Sequence, residues 1–150
     1  MAIPILQFLA IMVSALALIP AGAHLAALPN KIGLPQQDYF VVQHIYRGWA
    51  AFGWLWPGAV LADALLAWLV RSQVWSFWFA VFAALGFLLM LAIFRIWTFP
   101  ANRQTGDWTQ PPDNWERLRR QWEYSHGANA AIGVLSLALL VLSVLSWRPS

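Results

Sequence analysis

Asp113-Asn-Trp-Glu-Arg-Leu-Arg-Arg-Gln-Trp-Glu-Tyr-Ser-His126 is followed by an uncharged run from Gly127 to Trp147. A charged, aromatic start that turns wholly apolar reads as one long helix. Its amphipathic opening, residues 113–125, lies at a membrane interface, and residues 126–147 cross the bilayer. Pro111 and Pro112 stop any helix before it, Asp113 is a suitable N-cap, and Glu116 follows at capping-box spacing. Trp115, Trp122, His126, Asn129, Gly133, Ser136, Leu140 and Ser143 recur at steps of seven, four and three, so they share one face. That face is small and polar inside a span of Leu, Val and Ala. It suits contact with other helices, where small residues permit close approach and polar ones find partners.

Composition supports the same reading. Of 150 residues, 61% are hydrophobic and 10% charged, against about a quarter charged in soluble domains. Disorder and a water-soluble fold are both excluded. Three more runs, residues 3–28, 49–70 and 74–97, reach the roughly 20 apolar residues that a bilayer requires. The fold class is therefore all-α: a single integral membrane domain, an antiparallel four-transmembrane-helix bundle whose two long connections and last-helix start form a polar cap. The Ala21-Gly-Ala23 pattern after Pro20 resembles a cleavage site, and a cut there would leave His24 as a copper-brace N-terminus. Without a basic segment before the apolar run, an uncleaved helix ending near Leu28-Pro29 is expected.

Residues 36–47 read as a short interfacial helix, Pro57 as a kink in the second span, and residues 98–112 as a loop. Lys31, Arg47, Arg95, Arg103, Arg117, Arg119 and Arg120 fall on the side of the two long loops; Arg71 and Arg148 fall on the other. The positive-inside rule puts those loops in the cytoplasm and both termini outside the cell inner membrane. Of eleven tryptophans, Trp49, Trp75, Trp97, Trp108, Trp115 and Trp147 lie near span ends, where an aromatic belt is expected. The aromatic residues of the third span (Trp75, Phe77, Trp78, Phe79, Phe82, Phe87) read as facing lipid or a partner. Net charge is +3, spread over loops, and nothing points to nucleic acid.

The same topology gathers all three histidines at the cap. Cysteine is absent, which removes thiolate, Fe–S and CxxCH-haem chemistry. Glu123-x-x-His126 has the spacing used by di-iron bundles, which need about four carboxylates; the chain has two glutamates, Glu116 and Glu123. Open alternatives are a mononuclear metal on His24, His126 and Glu123, with His44 as a further ligand; haem b between His24 and His126; and no cofactor, the residues pinning helix ends. In that last case Glu123 pairs with Arg119 or Arg120 on its own helix. Asp63, inside the second span, either has a function or faces the bundle, protonated or bonded to Ser136, Ser143 or Gln7.

Pro100-Ala-Asn102, then Trp115, then Trp122-x-x-x-His126 resemble the pattern of the anthrone-oxygenase-like family of small four-helix membrane proteins. The resemblance covers residues 99–143 and reaches the first half through topology alone. Family members often carry an Arg three residues after the His, where this chain has Asn129. The resemblance implies a membrane oxidoreductase acting on an apolar planar substrate, since some relatives are associated with oxidation of anthrones to anthraquinones. His126 would be the base or ligand, Glu123 would orient it, and Asn102 and Arg103 would bind developing negative charge. Two rivals stand beside it: a non-catalytic subunit of a larger membrane complex or homo-oligomer, and a haem- or quinone-binding electron carrier.

Overall fold

The computed structural model describes residues 2–149. Helix α1 is Ala2–Lys31, α2 Gln36–Gln43, α3 Leu55–Leu69, α4 Val74–Ile93, α5 Phe99–Gln104 and α6 Trp115–Ser146. Short 3-10 segments, His44–Tyr46 and Trp49–Trp54, lead into α3, and a π turn, Phe94–Thr98, joins α4 to α5. Four of these stretches are long and apolar enough to cross a membrane: Ala2–Lys31, Trp49–Leu69, Val74–Gln104 and Trp115–Ser146. They pack antiparallel in a ring, α1 against α3 and α6, and α4 against α3 and α6.

The α6 stripe faces inward as its spacing requires: Trp122, His126, Asn129, Gly133, Ser136, Leu140 and Ser143 are all buried. Its small residues set the distance to the neighbouring helices. A Cβ on Gly86 of α4 would overlap the Ser136 hydroxyl, and one on Gly133 would overlap the Leu18 side chain. Nearer the chain ends, Ser76 and Ser143 bond reciprocally across α4 and α6, each hydroxyl donating to the other's backbone carbonyl (2.9 and 2.6 Å). On the opposite flank the Trp56 indole donates to the Ala17 carbonyl at 3.1 Å, tying α3 to α1.

Several local expectations are corrected. Asp113 does not cap α6; the N-cap is Asn114, without a side-chain capping bond. Pro57 lies in the first turn of α3, just after the 3-10 segment, where a missing N–H costs little. Pro29 does not end α1, which runs on to Lys31 with Pro20 and Pro29 both inside it; membrane helices tolerate proline. Residues 98–104 are helical as well. The π turn shifts the hydrogen-bond frame, with the Phe99 N–H reaching the Phe94 carbonyl, and Pro100 then falls at the start of α5. Phe87 is completely buried, unlike the exposed Trp75, Trp78 and Phe82.

The cap has its own apolar core of Tyr39, Phe40, Ala101, Trp108, Leu118 and Trp122. Trp108 is thus a core residue and not part of a belt. A turn at Gly106, Asp107 and Trp108 aims it inward with three successive positive φ angles (53°, 54° and 63°). For Asp107 and Trp108 that conformation is strained, typically by about 1–3 kcal/mol each. Thr105 holds the turn: its hydroxyl accepts the Trp108 N–H at 3.1 Å, and its carbonyl accepts the Gln110 N–H at 2.9 Å.

Candidate functional site

Where α1 and α6 meet under the cap, His24 and His126 lie ring against ring, centroids 4.1 Å apart and planes inclined by 35°. Trp122 closes one side, 4.6 Å from His24 and 4.3 Å from His126. Tyr46 lies 4.2 Å from His24 on another side, and Trp49 completes the box at 5.8 Å. Both imidazoles are buried, and both Nδ1 atoms lack a protein partner among the described residues. They line a cleft of about 870 Å³, walled by Tyr46, Trp49, Phe52 and Trp56, by Leu91 of α4 and Phe94 of the π turn, and by Trp122. That volume suits one medium-sized ligand.

Asn102 projects from α5 into the same cleft. Its Oδ1 accepts two indole N–H groups, from Trp122 at 2.7 Å and from Trp108 at 3.1 Å. Those bonds fix the amide orientation and leave its nitrogen free for a ligand.

Behind Trp122 lies an ionic cluster. Glu123, fully buried, accepts the Tyr39 hydroxyl at 2.9 Å on Oε1. The Lys31 ammonium stands 3.0 Å from the same oxygen, an ion pair without an aligned hydrogen bond. Lys31 also lies over the Tyr46 and Trp122 rings, at 4.7 and 5.2 Å, attracted by their π faces. Arg119 stacks on Trp115 and donates to the Leu34 carbonyl at 2.7 Å. Burial first, and the adjacent Glu123 second, push the Tyr39 hydroxyl well above the ordinary phenol range, so it stays a donor.

Of the residues singled out in the sequence, His24, His126 and Asn102 come together at the cleft. His44 is exposed at its mouth. Arg103 is also exposed and lies elsewhere, in a shallow groove beside Arg95 and Phe99. Glu123 sits behind the cleft, and its partners are Lys31 and Tyr39, not Arg119 or Arg120 of its own helix. Asp63 bonds to none of Ser136, Ser143 or Gln7. Lys31, Tyr39, Tyr46 and Trp108 were not anticipated. Lys31 had a legible signal: it follows His24 by seven residues, on the face that carries Gln7, Ala10, Ser14, Ala17 and Ala21.

Neither cofactor alternative fits. Rings packed at 4.1 Å leave no room for a porphyrin plane between them, and among the described residues no three His, Asp or Glu side chains gather as a metal-ligand set.

Fold and site together define a small four-span α-helical membrane protein with a tryptophan-walled cleft. In comparisons with family models, curated proteins and solved structures, nothing matches the chain. The resemblance carried by Pro100, Asn102, Trp122 and His126 therefore assigns no family.

Proposed function

We propose that the cleft binds a planar, apolar aromatic molecule bearing hydroxyl or carbonyl oxygens, a hydroxylated polycycle or quinone, and that the protein acts on it as an oxygenase-like oxidoreductase without a resident cofactor. One observation carries this reading: two adjacent imidazoles, their Nδ1 atoms unpartnered among the described residues, line a cleft walled largely by Trp, Tyr and Phe. An imidazole accepts or donates a proton in the neutral range. Stacked indoles and phenol rings bind flat π systems. His126 would take the proton of a phenolic hydroxyl, giving an electron-rich anion that dioxygen can oxidise. The Asn102 amide would donate to an oxygen of the ligand. Glu123 supports Trp122 and Lys31 from behind the cleft.

Titrating the detergent-purified protein with a soluble quinone should quench the fluorescence of the cleft tryptophans to saturation. His126→Ala should weaken binding roughly three- to tenfold, the worth of one hydrogen bond. Oxygen uptake with a hydroxylated polycycle should fall by about 10²–10⁴ in that variant, as for loss of a general base. Saturable binding with no turnover would leave a ligand-carrying subunit; absence of binding would defeat both readings.

We infer that the cap, and the cleft with it, faces the cytoplasm; the excess of Lys and Arg on its side supports that reading under the positive-inside rule. Because the chain lacks cysteine, single substitutions report topology cleanly. Ser72→Cys should react with an impermeant maleimide in intact cells, and Gln104→Cys only after permeabilisation; the reverse pattern would invert the orientation.

A further inference from the structure

The opposite half of the bundle contains a polar group that the cleft does not use. Asp63 of α3 is completely buried, and neither carboxyl oxygen has a partner among the described residues. Its surroundings are apolar: the adjoining core is built from Ala10 of α1, Leu66 and Ala67 of α3, Ala80 and Ala83 of α4, and Leu140 of α6. Among the described residues it takes part in no salt bridge. Ser76 and Ser143 satisfy each other, and the Ser136 hydroxyl donates to the Ile132 carbonyl, so these serines are engaged elsewhere.

Two other polar side chains flank that depth on α1. The Trp56–Ala17 bond sets the register of α3 on α1. Seven residues further along the antiparallel α3, Asp63 comes level with Ala10, between Gln7 and Ser14 on the buried face of α1. Gln7 and Ser14 are themselves buried, and the Gln7 amide nitrogen and Ser14 hydroxyl also lack partners. Three unpartnered polar groups within about two helical turns of one another inside a membrane bundle are costly, unless something bridges them.

The chemistry narrows what that is. An ionised carboxylate without a counter-charge in an apolar interior is far more costly than a neutral acid. A hard cation would want about six or more oxygen ligands, more than one carboxyl, one hydroxyl and one amide supply. A protonated carboxyl, by contrast, has one donor and one acceptor to satisfy, and a buried water typically joins about three polar groups. We propose that Asp63, Gln7 and Ser14 form an internal proton-binding site, in which water links the protonated Asp63 carboxyl to the Ser14 hydroxyl and the Gln7 amide. Ionisable groups at such depth mark proton pathways in other membrane proteins. This site is independent of ligand binding at the cap.

Infrared spectroscopy of the full protein in lipid membranes near neutral pH tests it. The wild-type-minus-Asp63→Asn difference should contain the carbonyl stretch of a protonated carboxylic acid. That band should shift when the film is equilibrated with D2O, because water reaches the site. Carboxylate bands in place of the acid band would overturn the proposal, and so would an acid band unmoved by D2O, which would mean a dry site. If Asp63→Asn does not fold, Asp63→Glu keeps the test open: the acid band should move without vanishing, and loss of all acid absorption on that change would count against the assignment.

Discussion

Lys31→Met should lower the stability of the folded protein by about 3–5 kcal/mol, the usual cost of removing one partner from a buried ion pair. The reason lies in what stays behind. Glu123 has no exposure, its Oε1 is shared by Lys31 and Tyr39, and its Oε2 has no partner among the described residues. Taking away the ammonium leaves that buried carboxylate with the Tyr39 hydroxyl as its bonded partner. Glu123→Leu should cost a similar amount, because it strands the Lys31 ammonium and deprives the Tyr39 hydroxyl of its acceptor. The double variant, Lys31→Met with Glu123→Leu, should be closer to wild type than either single change, since a buried pair replaced by apolar groups is often neutral. Thermal unfolding in mild detergent, followed by loss of helical circular dichroism, would measure all three. If the single losses simply add in the double variant, the two charges do not depend on each other, and water or lipid headgroups must solvate the cap interior.

That cluster also marks where sequence reasoning stops. Depth along the membrane normal was legible: apolar run lengths and two long connections on one side put His24, Lys31, Asn102, Glu123 and His126 at one end of the bundle. The inward face of α6 was legible too, because small and polar residues on one stripe of an apolar helix fit only a helix–helix contact. Azimuth was not legible across helices. His44 and Arg103 share the depth of the site yet point away from its floor, and nothing in their spacing distinguishes them from Asn102. The partner of Glu123 was sought one turn away, where sequence supplies neighbours; its actual partner, Lys31, comes from a different helix. Lys31 was hidden behind Pro29, because the rule that proline ends helices was learned in water and weakens where packing and lipid forbid an exposed backbone. The turn at Gly106 to Trp108 was likewise out of reach. Two of its residues adopt a backbone conformation that non-glycine residues avoid, offset by the Thr105 bonds, the Trp108–Asn102 bond and the packing of Trp108 in the cap core.

Asn102 is the point at which structural and chemical roles can be pulled apart. Asn102→Leu should cost roughly 2–4 kcal/mol, because it leaves the indole N–H groups of Trp108 and Trp122 without an acceptor, each worth about 1–3 kcal/mol when buried. Both rings are only 4% exposed, so water cannot replace the lost oxygen cheaply. The loss should propagate to the cleft, since Trp122 packs on both histidines. Asn102→Asp behaves differently in physical terms. It keeps an oxygen for the two indoles and removes only the amide N–H groups. The fold should therefore hold, with an unfolding midpoint near that of wild type. Affinity for a quinone should fall if the amide donates to the ligand, and a negative charge at the cleft wall should repel a phenolate outright. An Asp variant that is stable and still binds the ligand normally would make Asn102 a clamp for Trp108 and Trp122 alone, and would leave the histidine pair to supply all of the polar recognition.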